Sequence, residues 1–209
     1  MMAGKRDTKK REVFEALYAA AIALFEEKGY DTVTVAEITR AAGVAKGTFF
    51  NHFPSKADIL AEWYRRLIAT AFETAEGENT AGTLTDAALE TCRRTISLCE
   101  ASPELWQAKT LLSPTTPAIQ AVETQNDAIA HEAFEEQVQR AVARGDLPAG
   151  TGSAAIADLM LTLFTGTVRQ CVVTGQSQNI LRDLEIRFRA IEQLATGNLL
   201  PSGSSKPKR

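Results

Sequence analysis

The sequence predicts an all-α chain of about nine helices, and three observations carry that reading. Apolar residues recur three and four apart through most of the chain, which is the repeat of one helix face. No segment alternates between apolar and polar in the manner of a half-buried strand. Starts and stops are marked: Ser102-Pro103 and Thr116-Pro117 each place a cap before a first-turn proline, and Gly29, Gly43 and Gly145 follow the last periodic residues of three segments.

The first helix is expected from about Thr8 to Lys28, with Val13, Phe14, Leu17, Ala21, Leu24 and Phe25 on one face. Thr34 then caps a short second helix. Glu37, three residues on, completes a capping box, and Val33 with Ile38 supplies a hydrophobic staple. Gly43 provides the positive φ with which that helix can end. A third, very short helix starts near Ala45 and must stop before Pro54, because proline moves its predecessor out of the α region. Ile38, Ala42, Val44 and Phe49 can share one small core, leaving the intervening positions outside.

Ser55 with Asp58 caps a long fourth helix to about Ala75, and the polar stretch 76–83 is a loop. A fifth helix covers Leu84 to Glu100, the two proline starts open a sixth and a seventh, and the seventh runs to Arg144. The eighth spans about Ser153 to Thr174 and is apolar nearly all round, so it needs covering on more than one side. The ninth, about Asn179 to Thr196, carries Leu181, Leu184, Phe188, Ile191 and Ala195 at coiled-coil spacing. Residues 201–209 are polar and basic and are expected to be a disordered tail.

Two short helices around a glycine turn form a helix-turn-helix, whose second helix enters the DNA major groove by its first residues. Charge supports this placement. Residues 1–56 carry nine Lys and Arg against seven Asp and Glu, whereas residues 57–205 carry 11 against 19. The basic end coincides with the motif, as phosphate binding requires, although the whole chain is net −3.

The run Val33 to Ile38, then Ala42 to Phe49, His52-Phe53 and Ser55-Lys56, together with Phe25 to Tyr30, resembles the DNA-binding module of tetracycline-repressor (TetR/AcrR) family transcriptional regulators. About 50 residues carry the likeness. Two positions depart from the family pattern: Phe50 stands where a tyrosine is usual, so its phosphate-bonding hydroxyl is missing, and Thr39 stands where alanine is usual.

The resemblance implies residues 1–54 as the DNA-binding domain and 55–200 as an effector-binding and dimerisation domain. Within the module, Ala45, Lys46, Gly47 and Thr48 open the recognition helix. Lys46 is suited to a phosphate or a guanine edge, Thr48 to a base or thymine methyl, and Gly47 to close backbone approach. Thr34, His52 and Lys56 are expected at phosphates, Asn51 at an adenine or a phosphate, and Phe50 in van der Waals contact. The last two helices, through Leu159, Leu163, Leu181, Leu184, Phe188 and Ile191, are expected to pair with a second copy as a four-helix bundle. Two recognition helices about 34–36 Å apart then read a palindromic double-stranded operator. A small, largely apolar effector is expected near Trp63, Cys92, Ile96, Trp106, Phe134 and Phe164, with Lys109 or Arg169 available to a carboxylate. Repression is the expected outcome, and a DNA-bound adaptor answering to a protein partner is the alternative.

Other classes fit poorly. The two histidines, His52 and His131, are far apart, and the chain lacks G-x-S-x-G, P-loop and G-x-G-x-x-G patterns, so no enzyme is expected. No cofactor or metal is expected; Asp127, His131 and Glu135 are four apart, but a solvated helix face reads the same way. Cys92 and Cys99 sit seven residues apart on one helix, about 10.5 Å, beyond disulfide reach. With Cys171 they suit buried positions in a reducing cytoplasm. No early apolar run resembles a signal peptide and no membrane span is expected.

Overall fold

A computed structural model of the chain describes residues 4–73 and 82–197. Among them nine α-helices follow in order: α1 (Lys5–Lys28), α2 (Val35–Ala41), α3 (Lys46–Phe50), α4 (Lys56–Glu73), α5 (Leu84–Glu100), α6 (Pro103–Leu112), α7 (Pro117–Arg144), α8 (Ser153–Val173) and α9 (Ile180–Ala195). Single 3-10 turns lie at Ser113–Thr115 and Ser177–Asn179, and the described residues contain no strand. The expected tail 201–209 and most of the loop 76–83 lie outside the described residues.

Two compact units emerge: Met1–Ala71 with Thr95–Asn126, and Phe72–Arg94 with Asp127–Arg209. The first reaches well beyond residue 54 and takes in most of α4 and all of α6. Its core begins on α1, where Leu17, Ala21 and Phe25, spaced four apart, are fully buried. Phe25 meets Tyr30 at 5.0 Å, and Phe14 stacks on Phe53 at 4.6 Å. Arg66 of α4 ties this helix down by polar contacts as well. Its guanidinium donates two hydrogen bonds to Glu15 of α1, a third to Glu62, and lies 4.1 Å from the Tyr18 ring centre.

In the second unit, Phe134 of α7 meets Phe164 of α8 at 6.3 Å and Phe188 of α9 at 6.1 Å, both edge-on. Thr85 of α5 donates to the Glu192 carboxylate of α9 at 2.6 Å. These contacts set the roll of α9. Leu184, Phe188 and Ile191 turn inward and are 0%, 2% and 7% exposed. The expectation that these three pair with a second copy is therefore corrected: their surface is spent inside their own unit. Leu181 and Leu163 are half-buried. On α8 and α9 the large apolar side chains left outside are Leu159 and Val173, and Ile186 and Leu194, each more than half exposed.

The turn between α2 and α3 is fixed by backbone geometry. Ala42 ends α2, Gly43 follows at φ +67°, the Gly43 N–H donates to Arg40 and the Val44 N–H reaches back to Thr39 at 3.0 Å. This pair of bonds is the Schellman closure of a helix. A Cβ built on Gly43 meets nothing within 4 Å, so any cost of adding one is conformational rather than steric crowding. Gly43→Ala is expected to destabilise the chain by about 1–2 kcal/mol, and Gly43→Asn by less, measured by urea unfolding; equal stability of all three would remove the strain argument.

Candidate nucleic-acid interface

Five residues are too few to hold a helix in water, since isolated helices below ~12–15 residues are marginal. α3 is helical because Phe49, its one buried residue, is locked into the core beside Phe53. That anchor leaves the opposite edge free. Ala45 is its N-cap, and Ala45, Lys46 and Gly47 are exposed, with Thr48 half-buried beside them. A Cβ on Gly47 meets nothing within 4 Å, so among the described residues no atom crowds that position. The arrangement offers an ammonium, a hydroxyl and open backbone on one rigid ridge, which suits a groove floor lined with donors, acceptors and flanking phosphates.

Phe50 is 48% exposed and touches Phe49 edge-on at 5.3 Å. It is an outward aromatic rather than core, available for contact but unable to bond a phosphate. Asn51 is exposed at the end of α3, and His52 is half-buried with its ring 6.3 Å from Phe14. Burial, and then the positive charge of Lys10, hold His52 below the usual imidazole range. The unusual Thr39 is accommodated: it is buried, and its hydroxyl donates to the Ala36 carbonyl at 3.2 Å.

Two expected phosphate contacts are otherwise engaged. Thr34 and Glu37 form the full capping box: the Glu37 N–H donates to the Thr34 hydroxyl at 3.2 Å, and the Thr34 N–H and hydroxyl both donate to the Glu37 carboxylate at 2.9 Å. Lys56 is the clearer correction. Its ammonium donates to the backbone carbonyls of Tyr30 at 2.6 Å, Val33 at 3.0 Å and Asp31 at 3.4 Å, and lies 4.2 Å from the Tyr30 ring centre. All three N–H groups are used, so Lys56 braces the module instead of reaching a phosphate. The signal for this was absent from local pattern, because the carbonyls lie 23 to 26 residues away.

The expected effector residues are placed as follows. Trp63, Ile96 and Trp106 are buried in the first unit; Cys92 and Phe134 are buried and Phe164 half-buried in the second. Lys109 is 8% exposed and already paired with Glu123, over the Tyr64 ring at 3.9 Å, so its charge is answered within the chain. Arg169 is exposed on α8. His131 pairs with Asp158 at 3.1 Å, and Glu135 accepts from Ser153 at 3.0 Å. Among the described residues no group of three such side chains could hold a metal ion.

Substituting Lys46 and Lys56 should separate the two kinds of lysine. Lys46→Ala is expected to leave unfolding unchanged and to flatten the salt dependence of DNA binding by about one in log–log slope. Lys56→Met is expected to cost about 2–3 kcal/mol of stability while the salt slope of the folded fraction stays the same. A reversed pattern would exchange their roles. The capping box carries its own pH signature. Hydrogen bonds from the Thr34 backbone and hydroxyl, then from Lys28, hold the Glu37 carboxyl down at about 2. Its contribution is complete above the ordinary carboxylate value of 4.5 and is lost as pH falls toward about 2. The melting-temperature gap between the wild type and Glu37→Gln should therefore close over that interval; a gap constant with pH would show that the ionised carboxylate is not the cap.

Comparison with known proteins agrees with this geometry. Residues 17–63 match the model of the tetR family of bacterial regulatory proteins. The HTH-type transcriptional regulator YwcC of Bacillus subtilis is 42% identical over 60 residues, a match covering 29% of this chain and only 27% of YwcC. Over nearly the whole chain the fold matches Thermus thermophilus FadR, a TetR family transcriptional repressor solved with lauroyl-CoA, at TM-score 0.69 and 18% identity, covering 93% of this chain and 100% of that one. It also matches RolR, solved with resorcinol, at TM-score 0.62 and 18% identity, covering 90% and 89%. The amino-terminal part of the chain, residues 17–63, thus carries the helix-turn-helix module of the tetR family of bacterial regulatory proteins, and the chain as a whole has the nine-helix fold of those solved structures.

Proposed function

We propose that the chain represses transcription by binding a palindromic operator as a homodimer and leaves it when a small, largely apolar effector binds. The observation that carries this reading is the ridge of exposed Ala45, Lys46 and Gly47 with half-buried Thr48, on a helix held rigid by Phe49. One such ridge spans too few base pairs for useful selectivity, so two half-sites are required. The second copy is supported by α8. It is long and apolar enough, at mean hydropathy 1.3, to pass for a membrane span, yet only 28% of that stretch is buried within its own chain. Its outer side also carries Asp158, Thr162, Arg169 and Gln170, which suits a protein partner better than lipid.

The partner surface differs from the expected seam. It is supplied by Leu159 and Val173 of α8 with Ile186 and Leu194 of α9, flanked by exposed Arg182, Arg189 and Asp158. For the effector, support comes from the buried apolar residues Trp63, Ile96, Trp106 and Cys92, and from the two solved relatives that each hold an organic ligand. An effector acts only by favouring one spacing of the two ridges over another.

In-vitro selection from random duplexes should return an inverted repeat with half-sites about one helical turn apart; recovery of single half-sites alone would overturn the two-ridge reading. Ile186→Asp should convert the chain to a 22.7 kDa monomer by light scattering, whereas Leu184→Ala should keep the dimer and cost about 2–5 kcal/mol of stability. A wild-type monomer would rule out the homodimer.

A further inference from the structure

Asparagine is seldom sealed inside a fold without an answer to its amide. Asn126 of α7 is 3% exposed, and its side-chain nitrogen, shut off from solvent, donates to no acceptor among the described residues. A buried donor left that way destabilises a fold, and an apolar side chain of similar size would avoid the loss. The charges beside it in the first unit are already settled. Glu123, one turn earlier on α7, pairs with the Lys109 ammonium of α6 and accepts from the Ser113 hydroxyl. The Tyr64 ring of α4 lies 3.9 Å from the same ammonium.

Both α6 and α7 run away from the short connection 113–116. Trp106 and Asn126 each lie one turn further from it than the Lys109–Glu123 pair, so the indole and the amide fall on the same side of that pair. Trp106 is buried, as are Trp63 and Ile96 of the same unit.

We propose that Asn126 is the polar anchor of the effector: its amide donates to an oxygen acceptor, such as a carbonyl, on a neutral molecule whose apolar body lies toward Trp106. The anchor rests on the effector reading of this chain and names the chemistry of the molecule it takes. The neighbouring pair decides the charge of that molecule. A carboxylate would have to draw Lys109 away from Glu123, and breaking a buried ion pair strands a charge at high cost. A cation would meet the Lys109 ammonium with Glu123 already taken. A hydrocarbon fits the apolar walls but leaves the amide unanswered. A neutral acceptor satisfies the amide and leaves the pair intact, and a site built around such a donor rejects analogues that lack the acceptor.

Matched phenyl probes separate these cases: acetophenone, ethylbenzene, benzoate and benzylamine, each titrated against the full chain and read by thermal shift. Acetophenone should bind about fivefold tighter than ethylbenzene, with benzoate and benzylamine weaker than both. Asn126→Leu should unfold no earlier than the wild type in the absence of probe and should bind acetophenone and ethylbenzene equally. Should Asn126→Leu fail to fold, Asn126→Ala makes the same comparison. Benzoate or benzylamine as the tightest probe overturns the proposal, and so does a variant that keeps the wild-type preference for acetophenone. Equal binding of acetophenone and ethylbenzene by the wild type removes the anchor but leaves an apolar effector site. A wild type shifted by none of the probes removes that site as well, and the effector reading falls with the anchor.

Discussion

The amino-terminal module depends on one ammonium group. Lys56, the first residue of α4, spends its donors on carbonyls of the turn between α1 and α2. That turn carries Val33 and the Thr34 cap, which fix where α2 begins, and α2 in turn sets the direction from which α3 leaves Gly43. Half-burying a lysine costs free energy unless its donors are answered, and here backbone oxygens answer all of them. The cost ensures that the loop and the start of α4 hold one geometry. A short recognition helix with a single buried anchor inherits its aim from this brace.

A second polar fastening lies along α4. Arg66 reaches Glu15 of α1 while Glu62 receives both Arg65 and Arg66. Hydrogen bonds to Glu15 hold the Arg66 guanidinium charged beyond its ordinary range, and the same bonds lower Glu15. Exposed ion pairs usually contribute little singly. This set differs in being bidentate, shared among four charges and laid against the Tyr18 ring, so its main effect is on the register of α4 against α1. Ser102 adds a further tie: it caps α6 by position, but its hydroxyl donates to Glu26 of α1 at 2.6 Å.

What was legible in the sequence is what local chemistry decides. The Thr34–Glu37 box, the Gly43 stop, the proline starts at Pro103 and Pro117 and the ends at Glu100 and Arg144 all depend on residues within a few positions of each other, and the structure has them as read. The helix-turn-helix and its exposed Lys46 edge were legible for the same reason. What failed needed the third dimension. The spacing of Leu184, Phe188 and Ile191 shows that α9 has an apolar face but not whether that face meets its own chain or another. Lys56 and Lys109 look like solvated cations until their partners, far off in sequence, are brought to them.

The three cysteines have a practical consequence. Cys92, Cys99 and Cys171 are all at most 4% exposed, and burial pushes each thiol upward, Cys99 to about 12. Thiolate, the species that reacts with alkylating reagents, is therefore scarce in the closed fold. Labelling must wait for local opening, and its rate becomes a clock for that opening. Cys99 keeps time for the first unit, Cys92 and Cys171 for the second. The unmodified chain thus contains its own reporters of breathing, sited in both units without a single engineered residue.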